Sequence, residues 1–245
     1  MKIIRTQFIG YPVDNVSSNE IISFVKESIE NNTKNYIAVQ NANKMYLSEK
    51  YPLIKEAIEK ASIILPENAI NIGMRWMGKP LKQRNIGGIL MMEELLRFAD
   101  KNSSSIYLLG ATKNNLEMLV TQIKTKFPNI VILGFRDGHF NKYAEEEIVK
   151  DISMKKPNFL FVGMGSPKQE LFIYTNFEKL NTNISLGVGG SFNVIAGLEK
   201  PAPKWTKYGL EWLYRSVADP IKFKRYFVIN SFFVYRFTKY LLVRK

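Results

Sequence analysis

The most constraining feature of the sequence is a regular alternation of short apolar runs with amphipathic helical patterns. Apolar residues recur at helical spacing from Ile54 to Ala61 and again from Leu116 to Ile123. Such alternation is typical of a parallel sheet covered by helices on both faces. We therefore predict a Rossmann-like α/β fold whose carboxyl strand ends form one ligand-binding edge. The predicted strands are Tyr36–Gln40, Ser62–Leu65, Ser105–Leu109, Ile130–Leu133, Phe159–Val162 and Ile184–Val188.

The chain divides near residue 200, where the two prolines of KPAPK (200–204) interrupt regular structure. We predict an α/β core over residues 1–199 and a helical appendage over residues 200–245. The formal net charge of the chain is +13, and the appendage holds eleven Lys and Arg against two acidic residues. The appendage also holds twelve of the 31 aromatic residues. This basic and aromatic mixture is typical of segments that bind lipid headgroups.

Two other interpretations of the appendage remain open: a helical pair docked on the core with its basic face in solvent, and an RNA-binding arm. Its longest apolar stretch, Tyr226–Tyr235, is too short for a transmembrane helix and lies between Arg225 and Arg236. The start of the chain lacks the apolar region of a secretory signal. We expect a protein that lies on a membrane surface without crossing it.

Two glycine-rich segments follow predicted strands. In GMGSPKQE (163–170), Ser166 is a candidate cap and Pro167 a candidate first residue of the next helix, whose N–H groups would face a phosphate. In GVGGSFN (187–193), three glycines offer a second backbone cradle. Ordinary tight turns between strand and helix are the alternative for both. The candidate binding residues are Gly163, Gly165, Lys168, Gln169, Gly189, Gly190 and Asn193.

Polar residues follow other strands. Glu67 comes directly after SIILP and is well placed to act as a general base, although a solvated loop carboxylate has the same pattern. Asn41 follows the predicted strand Tyr36–Gln40. Its side-chain amide is a candidate to bind sugar hydroxyls, or to cap the following helix. Thr112 or Asn114 is a further candidate cap. His139, the only histidine, lies in an Asp-Gly turn and is expected to be structural.

Several chemistries are disfavoured by composition. The chain has no cysteine and one histidine, which makes a dedicated zinc site very unfavourable. It has neither a Walker A sequence nor a Gly-x-Gly-x-x-Gly after the first strand, which disfavours ATPases and simple dehydrogenases. We expect neither a cofactor nor a metal.

Taken together, these segments resemble the WecG/TagA/CpsF glycosyltransferase family (glycosyltransferase family 26). The resemblance runs from about residue 5 to residue 236. It rests on the order and spacing of FLFVGMGSPKQE, GVGGSFNVIAG, APKWTKYGLEWLYR, MGKPLKQRNIGGILMMEELL and SIILPENAI.

The resemblance implies a GT-E type fold and transfer of a sugar from a UDP-sugar to an undecaprenyl-diphosphate-linked acceptor, with inversion and without a metal. It implies Glu67 as the base and Asn41 near the donor sugar. It also implies that Gln169 contacts the sugar or diphosphate, and that Arg84 helps to hold phosphate. Arg215 and Arg225 would be appendage cations near the acceptor diphosphate, at the cytoplasmic face of a bacterial membrane.

Two segments depart from the family pattern. Many relatives have Asp-Gly where this chain has Glu67 and Asn68, and many have Thr where it has Val39. Both changes lie near the donor sugar, so they indicate a sugar other than N-acetylmannosamine or a differently placed base.

Two further functions stay open. One is a soluble nucleotide-sugar-modifying enzyme such as an epimerase, and the other is a non-enzymatic nucleic-acid-binding protein, which the glycine turns disfavour. We expect no nucleic-acid partner, and self-association through the exposed face of the core stays open.

Overall fold

Parallel strands form a central sheet in this protein. The structure is a computed structural model, which describes residues 3–83, 87–200, 203, 214 and 220–243. Its strands are β1 (Arg5–Phe8), β2 (Tyr11–Asp14), β3 (Asn35–Gln40), β4 (Ile63–Pro66), β5 (Ser105–Gly110), β6 (Val131–Arg136), β7 (Phe159–Gly163) and β8 (Ile184–Gly187). The main sheet has the order β4-β3-β8-β7-β5-β6, with every neighbouring pair parallel. The predicted fold class is confirmed, and all six predicted strands are present with small shifts of their ends.

Helices cover both faces of this sheet. They are α1 (Ser18–Glu30), α2 (Ala42–Lys50), α3 (Pro52–Glu59), α4 (Asn68–Trp76), α5 (Gly88–Lys101), α6 (Lys113–Lys126), α7 (Lys142–Lys155), α8 (Lys168–Asn176) and α9 (Ser191–Ile195), followed by a C-terminal helix (Pro220–Val243). Successive strand residues point to opposite faces. In β3, for example, Ile37 belongs to a buried cluster with residues of α1, α5 and α6, whereas Tyr36 belongs to a separate cluster with residues of α3, α7 and α8. Each face therefore buries its own apolar core.

The direction of the crossovers changes between β5 and β7. The chain leaves β5 through α6 toward the outer strand β6, but it leaves β7 through α8 toward β8 on the other side. Loops that diverge in this way leave a crevice at the carboxyl edge of the sheet. Here the backbones come close together: a Cβ added to Gly110, whose φ is +139°, would lie 2.4 Å from the carbonyl carbon and oxygen of Gly163. The crevice therefore requires glycine at position 110.

An antiparallel hairpin precedes the sheet and was not predicted. Strands β1 and β2 pair through a turn at Ile9 and Gly10, which both have positive φ. Buried Asp14 accepts from Arg5 Nε at 2.9 Å and from the Ile64 N–H at 2.8 Å, so the hairpin is fixed against β4. The hairpin was not predictable from the sequence because its two four-residue strands lack apolar alternation, and one of them contains a proline.

The C-terminal helix docks on the hairpin, α2 and α4. Phe233 and Phe237 both stack on Phe8, with ring centroids 5.8 Å apart in each pair. Arg236 pairs with Glu49 of α2 at 3.0 Å. A helical appendage is thus present, although the predicted boundary at residue 200 stays a prediction. Among the helices that the structure describes, none combines the length and apolarity needed to span a membrane.

Candidate functional site

Most of the polar residues predicted for the site gather at the carboxyl edge of the sheet. Asn41 follows β3, Glu67 follows β4, and the two glycine segments follow β7 and β8. Strands β3, β8 and β7 are consecutive in the sheet, with β4 on the outer side of β3. The parallel arrangement therefore brings together residues that are more than 120 positions apart in the chain.

Asn41 and Glu67 are in direct contact. Asn41 Nδ2 donates to Glu67 Oε2 at 2.9 Å, and the Glu67 N–H donates to the Gln40 carbonyl at 2.9 Å. Asn41 Oδ1 also accepts from the Lys44 N–H at 2.9 Å and so caps α2. Asn41 is therefore a helix cap, as one of its two alternatives predicted, and its amide also donates to a half-buried carboxylate, while its binding of sugar hydroxyls stays a prediction.

Glu67 itself occupies the N-cap position of α4, where its side chain makes no capping bond within the described part of the chain. The positive end of the helix dipole favours a carboxylate in this position. An oriented, partly accessible carboxylate beside a ligand-binding edge has the geometry that a general base requires.

A cavity of about 270 Å³ opens at the same edge of the sheet, at the crevice between β5 and β7, and neither Asn41 nor Glu67 belongs to its lining. Four of the predicted glycines, Gly163, Gly165, Gly189 and Gly190, contribute to its wall together with Asn193. Asn193 is held in place because its Oδ1 accepts from Asn115 at 3.3 Å and its Nδ2 donates to Glu199 at 3.0 Å. Ala111, Thr112, Asn115, His139 and Phe192 complete the lining.

His139 was expected to be structural, and this expectation stays a prediction although the residue lines the cavity. Its N–H donates to Asp137 Oδ1 at 3.0 Å, in agreement with the predicted Asp-Gly turn, and the residue is exposed in the cavity wall. Thr112 caps α6, as predicted, by accepting from the Asn115 N–H at 3.4 Å.

Gln169 connects the two glycine segments. Its buried Oε1 accepts from the Gly165 N–H at 3.2 Å and from the Gly189 N–H at 2.9 Å. Its Nε2 donates to Glu170 Oε1 at 2.8 Å. A Cβ added to Gly187 would lie 2.9 Å from this Nε2, so glycine at 187 makes room for the amide. The side chain holds the two turns together, while its contact with a substrate stays a prediction.

The predicted cap of α8 is wrong. Pro167, not Ser166, occupies the N-cap position, and among the described residues no side chain caps the helix. The reason is that the Gln169 N–H, which a Ser166 cap would bind, already donates to the Gly165 carbonyl at 3.1 Å. Lys168 is exposed at the first residue of α8. The helix start and this cation together form a favourable place for an anion.

A buried ion pair that the sequence analysis missed lies behind these turns. Lys44 Nζ and Glu170 Oε1 are 3.0 Å apart, and the two side chains are 4% and 1% exposed. Glu170 directly follows Gln169 and Lys44 lies three residues after Asn41, but no sequence pattern indicates that the two meet.

The cations predicted by resemblance are only partly described. Arg84 and Arg215 lie outside the described residues. Arg225 is exposed on the C-terminal helix, where it lines a second cavity of about 380 Å³ with Lys224, Val228, Ile229 and Tyr46 of α2. Val39, one of the two departures from the family pattern, is buried in the core just before Gln40.

Within the described ranges, no three His, Cys, Asp or Glu side chains gather closely enough to hold a metal ion. The expectation of a metal-free reaction stays a prediction.

The fold and the site define an α/β protein with a glycine-lined cavity and an oriented carboxylate at the carboxyl edge of a parallel sheet, where such folds bind their ligands. The model of the WecG/TagA/CpsF family of glycosyl transferases matches residues 6–245. The chain belongs to this family and is a glycosyltransferase.

Curated relatives come from Staphylococcus aureus strains NCTC 8325 / PS 47, COL and MRSA252. Each is named N-acetylglucosaminyldiphosphoundecaprenol N-acetyl-beta-D-mannosaminyltransferase. Each is 31% identical to this chain over 220 residues, which cover 88% of this chain and 85% of the relative.

Proposed function

We propose that this protein transfers a sugar from a UDP-sugar onto an undecaprenyl-diphosphate-linked glycan, with inversion at the anomeric carbon and without a metal ion. The reaction would serve the synthesis of a bacterial cell-surface polysaccharide or teichoic acid. The class of acceptor is supported by the names of the relatives, which describe a sugar linked to diphosphoundecaprenol.

The observation that carries this proposal is the Asn41–Glu67 contact at the same carboxyl edge of the sheet as the glycine-lined cavity. Glu67 takes the proton of an acceptor hydroxyl, and the hydroxyl oxygen forms a bond to the anomeric carbon of the donor. The bond between that carbon and the UDP oxygen breaks, and its electron pair leaves with UDP. Asn41 holds the carboxylate in one orientation, which a single displacement from the face opposite UDP requires.

The donor lies in the cavity, with its diphosphate toward the start of α8. Negative charge develops on this diphosphate as UDP leaves. The helix dipole of α8 and the ammonium group of Lys168 oppose that charge, and Arg84 is a further candidate cation. This arrangement gives the leaving group electrostatic stabilisation without a metal.

The C-terminal helix brings the site to the lipid that carries the acceptor. Phe227, Val234, Tyr235 and Leu242 are exposed on this helix, together with the basic residues Lys224 and Arg225. Apolar insertion and attraction to anionic headgroups are each weak signals, but they combine to give reversible binding. We place the protein at the cytoplasmic face of the membrane.

A donor screen tests the proposal. The protein is mixed with a panel of UDP-sugars, including UDP-N-acetylmannosamine, and with a short-chain polyprenyl-diphosphate N-acetylglucosamine. UDP release, product mass and the anomeric configuration of the product are measured, with and without EDTA.

We expect acceptor-dependent UDP release with one donor, a product of inverted configuration and no loss of rate in EDTA. UDP formation that does not depend on acceptor, or conversion of the donor to an isomer, would instead indicate a soluble nucleotide-sugar-modifying enzyme. No release with any donor, together with no binding of UDP, would contradict the proposal.

A further inference from the structure

The buried Lys44–Glu170 ion pair has no explanation in stability alone. Taking two charges out of water is costly, and a buried pair is often no more stabilising than uncharged side chains of the same size. Glu170 Oε2 is moreover buried without a hydrogen-bond partner among the described residues. Such unsatisfied buried groups are rare and often mark functional regions. The groups that the ion pair connects are therefore the better guide to its function.

On one side, the pair reaches the candidate base. Lys44 lies in the first turn of α2, and its N–H donates to Asn41 Oδ1 at 2.9 Å. The amide of Asn41 in turn donates to Glu67 Oε2 at 2.9 Å. The side chain of Lys44 thus anchors the turn that aims the carboxylate.

On the other side, the pair reaches the donor cavity. Glu170 Oε1 accepts from Gln169 Nε2 at 2.8 Å, and Gln169 Oε1 accepts from the N–H groups of Gly165 and Gly189. Both glycines line the cavity. Hydrogen bonds, one ion pair and the side chain of Lys44 between them therefore join the carboxylate after β4 to the turns after β7 and β8.

We propose that Lys44 and Glu170 are positioning residues of the transfer reaction: their ion pair fixes the Asn41–Glu67 contact relative to the cavity that holds the donor. This inference rests on the proposed function. The sheet holds the strand ends in register, but it does not fix the side chains of the turns beyond them. An error of about 1 Å in the placement of a reacting group lowers the rate by about a hundredfold.

The test removes both charges at once, since either single substitution leaves an unpaired buried charge and endangers folding. In the double variant Lys44→Met/Glu170→Gln, the new amide oxygen still accepts from Gln169, so the glycine turns keep their geometry. The ion pair that connects Glu170 to Lys44 of α2 is lost. The matched control is Lys26→Met/Glu30→Gln, which removes an exposed pair on α1 that is 3.7 Å apart.

We expect the double variant to be folded, with a melting temperature close to that of the wild type. Its kcat should fall by at least about tenfold, while the KM for the donor changes by less than about threefold, because the base and not the cavity is displaced. The control should keep both constants. A folded double variant with the kcat of the wild type would overturn the inference.

Failure of the proposed function is seen separately, as a wild-type protein with no acceptor-dependent turnover. In that case the crystal structure of the double variant decides. Displacement of Asn41 and Glu67 from their 2.9 Å contact supports the positioning role, and an unchanged contact refutes it.

Discussion

Asn41 combines two interactions that substitutions can separate. Its Oδ1 caps α2, and its Nδ2 binds Glu67. Replacing an Asn N-cap by Ala typically lowers the free energy of unfolding by about 1 kcal/mol. Loss of the Nδ2 contact should act on turnover instead, because it removes a hydrogen bond that orients the carboxylate.

Asn41→Ala is therefore expected to lose about 1 kcal/mol of stability and to lower kcat by about tenfold or more. Thermal or urea unfolding and steady-state kinetics measure the two effects.

Asn141→Ala is the matched control, because Asn141 caps α7 in the same way by accepting from the Ala144 N–H at 3.0 Å. Asn141→Ala should lower the free energy of unfolding by about as much as Asn41→Ala, but its kcat should equal that of the wild type. Equal kcat values in the two variants would mean that the contact with Glu67 has no role in turnover.

Gly187 provides the space for the amide of Gln169. In Gly187→Ala the added carbon would lie 2.9 Å from Gln169 Nε2, so the amide must move and the two glycine turns lose their common acceptor. We expect UDP affinity measured by calorimetry to fall by about tenfold, or about 1.4 kcal/mol.

Gly88→Ala serves as the comparison, since its added carbon would meet its nearest neighbour, Ser191 Oγ, only at 3.7 Å. Its UDP affinity should stay within about twofold of the wild type. The same loss in both variants would show that Gln169 is not the cause.

At the scale of elements, the sequence predicts what depends on local patterns. Six strands and the cap at Thr112 follow from apolar runs and from residue type. The hairpin at Ile9 and Gly10 lacked such a pattern. The Lys44–Glu170 pair was not predictable for another reason: its members are far apart in the chain and meet only because β3 and β7 are separated by a single strand.

At Ser166, in contrast, a local pattern predicted a helix cap that the structure does not have. Serine before proline is a good local signal for a helix start, but a competing bond from the Gln169 N–H to Gly165 moved the start by one residue. Local propensity decides such positions only where no tertiary contact competes.

The docking of the C-terminal helix depends on the aromatic residues that face Phe8. Phe237 stacks on Phe8 at 5.8 Å and also contacts Trp76 at 6.3 Å. Phe237→Ala removes this contact and should cost about 2 kcal/mol. Hydrogen exchange across residues 220–243 should become faster.

Phe227→Ala changes the same residue type on the same helix at a position that is 56% exposed. It should leave exchange unchanged and cost less than about 0.5 kcal/mol. If Phe237→Ala behaves like Phe227→Ala, the helix is not held through the hairpin.

At the scale of the whole molecule, charge and exposed apolar groups act together. The net charge of +13 favours anionic surfaces, and the C-terminal helix exposes Phe227 and Val234 beside its cations. We expect binding to vesicles of phosphatidylglycerol, and little binding to vesicles of phosphatidylcholine, in a sedimentation assay.

Raising NaCl from about 0.1 M to about 1 M should weaken this binding strongly, because the screening length falls from about 10 Å to about 3 Å. Phe227→Asp/Val234→Asp should weaken it further at low salt. Vesicle binding that does not change with salt, with lipid charge or with the two substitutions would contradict a peripheral membrane role for the helix.

The central claim is that Glu67 is the base of an acceptor-dependent sugar transfer, and Glu67→Gln tests it most directly. The new amide oxygen can still accept from Asn41, but it cannot take a proton. With the donor found in the screen, kcat should fall by about a hundredfold or more, while UDP affinity is retained and Glu30→Gln, an exposed control, is unaffected. A folded Glu67→Gln protein that turns over at the rate of the wild type would contradict the mechanism.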